Sequence, residues 1–176
     1  MKKIVLCTVI SIFTFLKTNA QEIQFGAKTG VSFASLKVKN QTFSITNSET
    51  GFYIGGFAGI RVFEAFTFQP ELIYVAVEGL NQINMPLMVN YEVSEDFKVL
   101  AGPSLGFLLD VNDGFESFNY GIEIGAAYDI YISRSIEGLY AEARYNFGLA
   151  NLLENAPSGV TRKLSGLFVG LGYRFK

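Results

Sequence analysis

A period of two runs through this chain, segment after segment, between residues 23 and 175. From Leu139 to Leu149 the odd positions are Leu139, Ala141, Ala143, Tyr145, Phe147 and Leu149, against Tyr140, Glu142, Arg144, Asn146 and Gly148. One face is apolar and the other carries the charge, as in a strand whose two sides meet different surroundings. In Phe66–Ala76 the even face is Phe66, Phe68, Pro70, Leu72 and Tyr74, while the odd face opens with Thr67, Gln69 and Glu71. Tyr120 to Ile132 sets Tyr120, Ile122, Ile124, Ala126 and Tyr128 against Gly121, Glu123, Gly125, Ala127 and Asp129. Eight such segments are expected: Ile23–Lys37, Gly51–Phe63, Phe66–Ala76, Ile83–Val93, Phe97–Leu109, Phe118–Ile132, Gly138–Leu149 and Lys163–Phe175. None sustains a helical 3.6 period, so the economical fold is all-β, an antiparallel up-and-down meander.

The connections alternate in length. The first, third, fifth and seventh, Val38–Thr50, Val77–Gln82, Asp110–Ser117 and Ala150–Arg162, have 13, 6, 8 and 13 residues. The others, Glu64–Ala65, Ser94–Asp96 and Ser133–Glu137, have 2, 3 and 5. Long loops at one end and tight turns at the other suit an eight-stranded transmembrane β-barrel of the bacterial outer membrane, with turns periplasmic and loops outside. Strands of 11 to 15 residues are long enough for the roughly 9–11 that cross a bilayer at a tilt.

The apolar faces carry aromatics near both strand ends. Phe25, Phe66, Tyr91, Phe97, Tyr173 and Phe175 lie toward the turns, and Phe33, Phe52, Tyr74, Phe107, Tyr120 and Phe147 toward the loops. Such rings form the two interfacial girdles of a membrane barrel. Twelve of the 18 glycines fall on the opposite, charged face: Gly26, Gly30, Gly55, Gly59, Gly102, Gly106, Gly121, Gly125, Gly148, Gly166, Gly170 and Gly172. A strand in water gains nothing from glycine, whereas the narrow interior of an eight-stranded barrel needs small residues beside large ones. The charged face is therefore expected inside. Its Lys28, Arg61, Lys98, Arg144 and Arg174 balance Glu71, Glu92, Glu123, Asp129 and Glu142. Unpaired buried charge is prohibitively costly, so these ten are read as a structural ion-pair network of a side-chain-plugged lumen.

Residues 1–20 read as a secretory signal peptide, with Lys2 and Lys3, the apolar run Ile4 to Leu16, and Thr18-Asn19-Ala20 before Gln21. The run is too short for a membrane-spanning helix. Cys7 lies within it, too early for the lipid-bearing cysteine of a lipoprotein. Cleavage leaves a single barrel domain, 21–176, with no cysteine and 11 basic against 16 acidic residues. That balance offers no basic field for nucleic acid. The chain has no histidine, which excludes His-ligated metal sites, Ser-His-Asp and Cys-His nucleophiles and a histidine base. No catalytic, cofactor-binding or metal-binding residues are assigned, and no enzymatic activity is expected. Asp110, Asp113 and Glu116 surround Gly114 without the spacing of a calcium loop, and read as a solvated acidic turn. Pro70, Pro86 and Pro103 lie inside strand segments, where each predicts a bulge or a local break in the ladder.

Six pieces in order resemble the PorT-like outer-membrane β-barrel family of Bacteroidetes-type bacteria. They are Gly26-Ala27-Lys28-Thr29-Gly30-Val31-Ser32-Phe33, Phe68-Gln69-Pro70-Glu71-Leu72-Ile73-Tyr74, Ile83-Asn84-Met85-Pro86-Leu87, Ala101-Gly102-Pro103-Ser104-Leu105-Gly106, Ala143-Arg144-Tyr145-Asn146-Phe147-Gly148-Leu149 and Gly170-Leu171-Gly172-Tyr173-Arg174-Phe175. The resemblance implies an eight-stranded outer-membrane barrel and says little about activity. It also implies that the barrel-assembly machinery reads the last strand, here followed by Lys176.

The leading expectation is an integral outer-membrane barrel in contact with lipid, non-enzymatic, acting structurally or through external loops, of which Val38–Thr50 and Ala150–Arg162 are the longest. A secreted calycin-like barrel with an apolar ligand is the alternative, and it requires the apolar face inside. An accessory component of an envelope secretion complex is a third reading. A small pore is disfavoured, because ten charges share a lumen that eight strands barely open.

Overall fold

A computed structural model describes residues 23–40, 43–109, 116–131, 137–153 and 160–175. Eight strands follow in chain order: β1 Ile23–Lys39, β2 Ser44–Phe63, β3 Phe66–Ala76, β4 Gln82–Glu92, β5 Phe97–Leu108, β6 Phe118–Asp129, β7 Leu139–Gly148 and β8 Thr161–Arg174. Each pairs antiparallel with its neighbours in sequence, and β8 returns to β1 to close the barrel. Closure leaves no free edge along the membrane-crossing part of the sheet. The expected signal peptide, residues 1–20, and Lys176 lie outside the described residues, as do Asp110 and Asp113.

The strands begin and end within three residues of expectation, with one exception. β2 starts at Ser44 rather than Gly51, so most of the expected first loop, Val38–Thr50, is strand. Lys39 pairs with Ser44, Val38 with Ile45 and Lys37 with Thr46. This segment reads as loop because it is rich in Ser, Thr and Asn. Yet Ile and the β-branched Thr residues favour strand, and a long β1 supplies the partner that satisfies its backbone. The contrast in loop length narrows accordingly, because the first external connection is the short tip 40–43 of a protruding hairpin.

The prolines break ladders without shifting them. In β2–β3 the pairs opposite Gln69 and Pro70 are missing, yet Phe57↔Glu71 and Ile60↔Phe68 keep one register. Pro86 and Pro103 coincide with similar gaps in β3–β4 and β4–β5. The missing N–H accounts for the lost pairing. The one register shift in this ladder lies between Arg61 and Phe63, beside the Glu64–Ala65 turn, so of the bulge or break expected at each proline the structure has the break.

The facing of the sheet follows the alternation. All twelve girdle aromatics point outward and are exposed, as are Leu72, Val89, Ile122, Ile124 and Val169 between them. Rings meet across strands on this surface, Phe66 with Tyr91 at 4.9 Å and Phe107 with Phe118 at 5.2 Å between centroids. The charged and glycine-bearing positions point inward.

Candidate functional site

The interior is built in layers, because residues of one parity from eight tilted strands come to a common height. Toward the external end lies an apolar layer of Tyr53, Ile73, Val75, Leu108, Leu164 and Phe168, continued by Val77, Ala150 and Leu152. Tyr53 and Phe168 meet edge to face at 5.5 Å. A cavity of only about 10 Å³ remains beside this layer, between Ser32, Asn84, Asn119 and Asn146, space for about one water.

Below it sits a charged layer formed by Lys28 of β1, Glu71 of β3, Glu123 of β6, and Glu142 and Arg144 of β7. Lys28 Nζ lies 2.9 Å from Glu71 Oε1 and 2.9 Å from Glu142 Oε2, and all three side chains are fully buried. Arg144 Nη1 donates to Glu71 Oε2 at 2.8 Å, and its Nη2 is 3.4 Å from Glu142 Oε1. Gln69 donates to Glu71 at 2.7 Å, and the Tyr53 hydroxyl donates to Glu142 at 3.1 Å. Glu123 is held less fully. Its Oε1 accepts from Asn146 at 3.0 Å, whereas Oε2 has an ion-pair contact to Arg144 at 3.2 Å but no hydrogen bond of good geometry.

A second apolar layer, Phe57, Met88, Leu100, Ala127 and Tyr140, separates these groups from the periplasmic mouth. The mouth carries the remaining five charges. Arg174 donates to Asp129 at 2.8 Å and stands over the Tyr140 ring at 4.3 Å. Lys98 bridges Glu92 at 3.5 Å and Asp129 at 3.4 Å, and the half-exposed Arg61 reaches Glu92 at 3.4 Å. Arg61, Glu92, Lys98 and Arg174 line an open cavity of about 170 Å³ with Gln69 and Asn90. Just outside the mouth, the Asp96 carboxylate accepts from the Tyr131 hydroxyl and holds that phenol above its ordinary range.

The ten predicted residues therefore fall into two groups of five rather than one network. The buried group holds three carboxylates against Lys28 and Arg144, and the mouth holds Arg61, Lys98 and Arg174 against Glu92 and Asp129. Among these ten, each group is off balance by one charge, in opposite directions, and at the mouth Glu137 stands beside Lys98, Asp129 and Arg174.

The fold and facing invite comparison with known proteins. A family model described as outer membrane protein beta-barrel domain matches residues 19–154. The chain belongs to that family. No curated protein matches it in sequence. Among solved structures, Neisserial surface protein A is 16% identical, with 88% of this chain and all of that one covered at a TM-score of 0.51. The attachment invasion locus protein of Yersinia pestis is 14% identical over 86% of this chain and 99% of that chain, with a TM-score of 0.45.

As an outer membrane protein β-barrel, the chain resides in the bacterial outer membrane, with its apolar face to lipid. The calycin-like alternative fails on facing, because Lys28, Glu71, Glu123 and Arg144 are buried and the apolar alternation is exposed. Sequence reasoning missed the inward aromatics Tyr53, Phe57, Tyr140 and Phe168, which build much of the two apolar layers. A signal was present. The inward face of β2 reads Tyr53, Gly55, Phe57, Gly59, Arg61, large alternating with small as a tapering barrel interior requires.

Proposed function

We propose that this outer-membrane barrel is non-enzymatic, that side chains seal its lumen, and that it works through its external end. The burial of Lys28, Glu71, Glu142 and Arg144 at 0–1% exposure, between two apolar layers, carries this reading. Charges held that tightly need their partners to remain buried, which suits the inner five residues to a structural ion-pair network rather than to conduction, with the five at the mouth as a second, more exposed cluster. The test is planar-bilayer recording of the purified, refolded barrel. No current above background is expected, and stable conductance steps would reject the seal.

The same reading makes residues 1–20 a cleaved signal and 21–176 the mature domain. It makes the final strand, ending Tyr173-Arg174-Phe175, the segment that the barrel-assembly machinery reads. The six ordered motifs support a PorT-like member of the family. An accessory role in an envelope secretion complex is the second reading. Cross-linking in mild detergent separates the two, because an accessory role requires a stoichiometric envelope partner bound through the protruding β1–β2 hairpin and the neighbouring loops.

A further inference from the structure

Three strands outlast the rest of the barrel at its external end. β1 runs to Lys39, β2 begins at Ser44 and β8 at Thr161, whereas β3 ends at Ala76, opposite Phe52. On the outward face of this three-stranded ribbon the apolar surface gives way abruptly. Val31 and Phe33 of β1 lie beside Val169 and Leu167 of β8, and the next outward pairs are Ser35↔Ser165, Lys37↔Lys163 and Lys39↔Thr161. From β2 the same face receives Ser48, Thr46 and Ser44, and the Ser35 and Ser48 hydroxyls are hydrogen-bonded at 3.0 Å.

Lys37 and Lys163 are therefore cross-strand neighbours of like charge, an arrangement that destabilises a sheet. Lys39 stands one outward position further along β1. All three are exposed, and none forms an ion pair among the described residues. The one carboxylate of the ribbon, Glu49, pairs in register with Ala34, whose side chain faces the lumen, and so lies on the opposite face. Among the described residues this face carries no carboxylate, which leaves it open to an external anion.

We propose that the Lys37–Lys163 pair, with Lys39 adding charge one outward position above it, docks the phosphate of a lipid headgroup whose acyl chains lie on the apolar strip of Val31, Phe33, Leu167 and Val169 directly below. The height is right. Lys37 is four residues beyond Phe33, about 13 Å along a strand at roughly 3.3 Å per residue, or about 9 Å in height at a tilt near 45°. The headgroup zone is about 5–7 Å deep on each side of the hydrocarbon, and flexible lysine stems close the remainder by bending toward it. Ammonium groups meet phosphate as point charges, and the Ser and Thr hydroxyls beside them donate further hydrogen bonds. Continuity of the lysine face with the lipid-facing strip selects a lipid phosphate over a free one, since only the lipid uses both parts.

The experiment uses the full barrel folded in neutral detergent, offered phosphatidic acid, diacylglycerol of the same chains, or inorganic phosphate, with retention read by native mass spectrometry. Phosphatidic acid is expected to be retained several-fold over diacylglycerol and not to be displaced by equimolar inorganic phosphate. The K37Q/K39Q/K163Q variant is expected to bind both lipids alike while keeping the heat-modifiable band of the folded barrel. Equal retention of the two lipids by the unsubstituted protein, displacement by inorganic phosphate, or undiminished phosphatidic acid binding by the variant would each overturn the proposal. Thermal unfolding of Lys163→Gln alone adds an independent readout. It is expected to unfold at a higher temperature than the unsubstituted protein without anionic lipid, and to lose that advantage with phosphatidic acid present. No advantage without lipid would count against an uncompensated lysine pair.

Discussion

Gly172 and Tyr140 are register partners on β8 and β7, and the Tyr140 ring occupies the volume that any side chain at 172 would need. The ring cannot yield easily, because Phe57 packs against it edge to face at 6.1 Å and the Arg174 guanidinium covers it at 4.3 Å. At Gly30 and Gly170 a side chain would meet first the facing backbone, at the Val169 and Thr29 carbonyls, and then Tyr53. Gly172→Val is expected to destabilise the barrel by about 1–3 kcal/mol, the usual cost of overpacking. It should lower the temperature at which the compact band in SDS converts to the unfolded one. Adding Tyr140→Ala should recover part of that loss, because the two substitutions act on one volume.

The charge imbalance of the buried layer sets the sign of a second comparison. Lys28→Met leaves Glu71, Glu123 and Glu142 facing Arg144 alone, and removal of one member of a buried pair costs about 3–5 kcal/mol. Glu123→Gln instead leaves two carboxylates for two cations, and its amide can still accept from Asn146. The Lys28 variant is expected to lose its heat-modifiable band well below the temperature of the unsubstituted barrel. The Glu123 variant should hold it at least as long.

Ile124 lies midway between the outward-facing Tyr120 and Tyr128 on the lipid face of β6. Arginine at such a depth costs about 2–4 kcal/mol in a membrane barrel and far less near the interface. Ile124→Arg should therefore fold poorly into lipid vesicles, whereas Thr46→Arg, on the protruding hairpin, should fold as the unsubstituted chain does. Equal folding yields would argue against lipid at Ile124.

Orientation can be read with thiols, since Cys7 is the only cysteine and lies within the proposed signal sequence. Thr46→Cys is expected to react with a membrane-impermeant maleimide on intact cells. Ser94→Cys, at the opposite end between β4 and β5, should react only after the outer membrane is opened. Labelling of a chain with neither substitution would show that Cys7 is retained.

Alternation alone determined the β class, the eight strands and which face each residue takes, because a strand's side-chain period of two survives any tertiary arrangement. Loop length pointed to the direction in the membrane, and the glycines on the face of Lys28 and Arg144 told inside from outside. The length of the first hairpin was not legible, since Ser44–Thr50 becomes strand only where β1 offers its edge. The two apolar layers were hidden too, because Tyr53 and Phe168 share parity with charged residues and their role depends on the height at which distant strands meet. Composition balanced ten charges, but only register divides them into a buried group of five and a group of five at the mouth. Register likewise brings Lys37 opposite Lys163, residues from the two ends of the chain, because closing a barrel joins its first strand to its last.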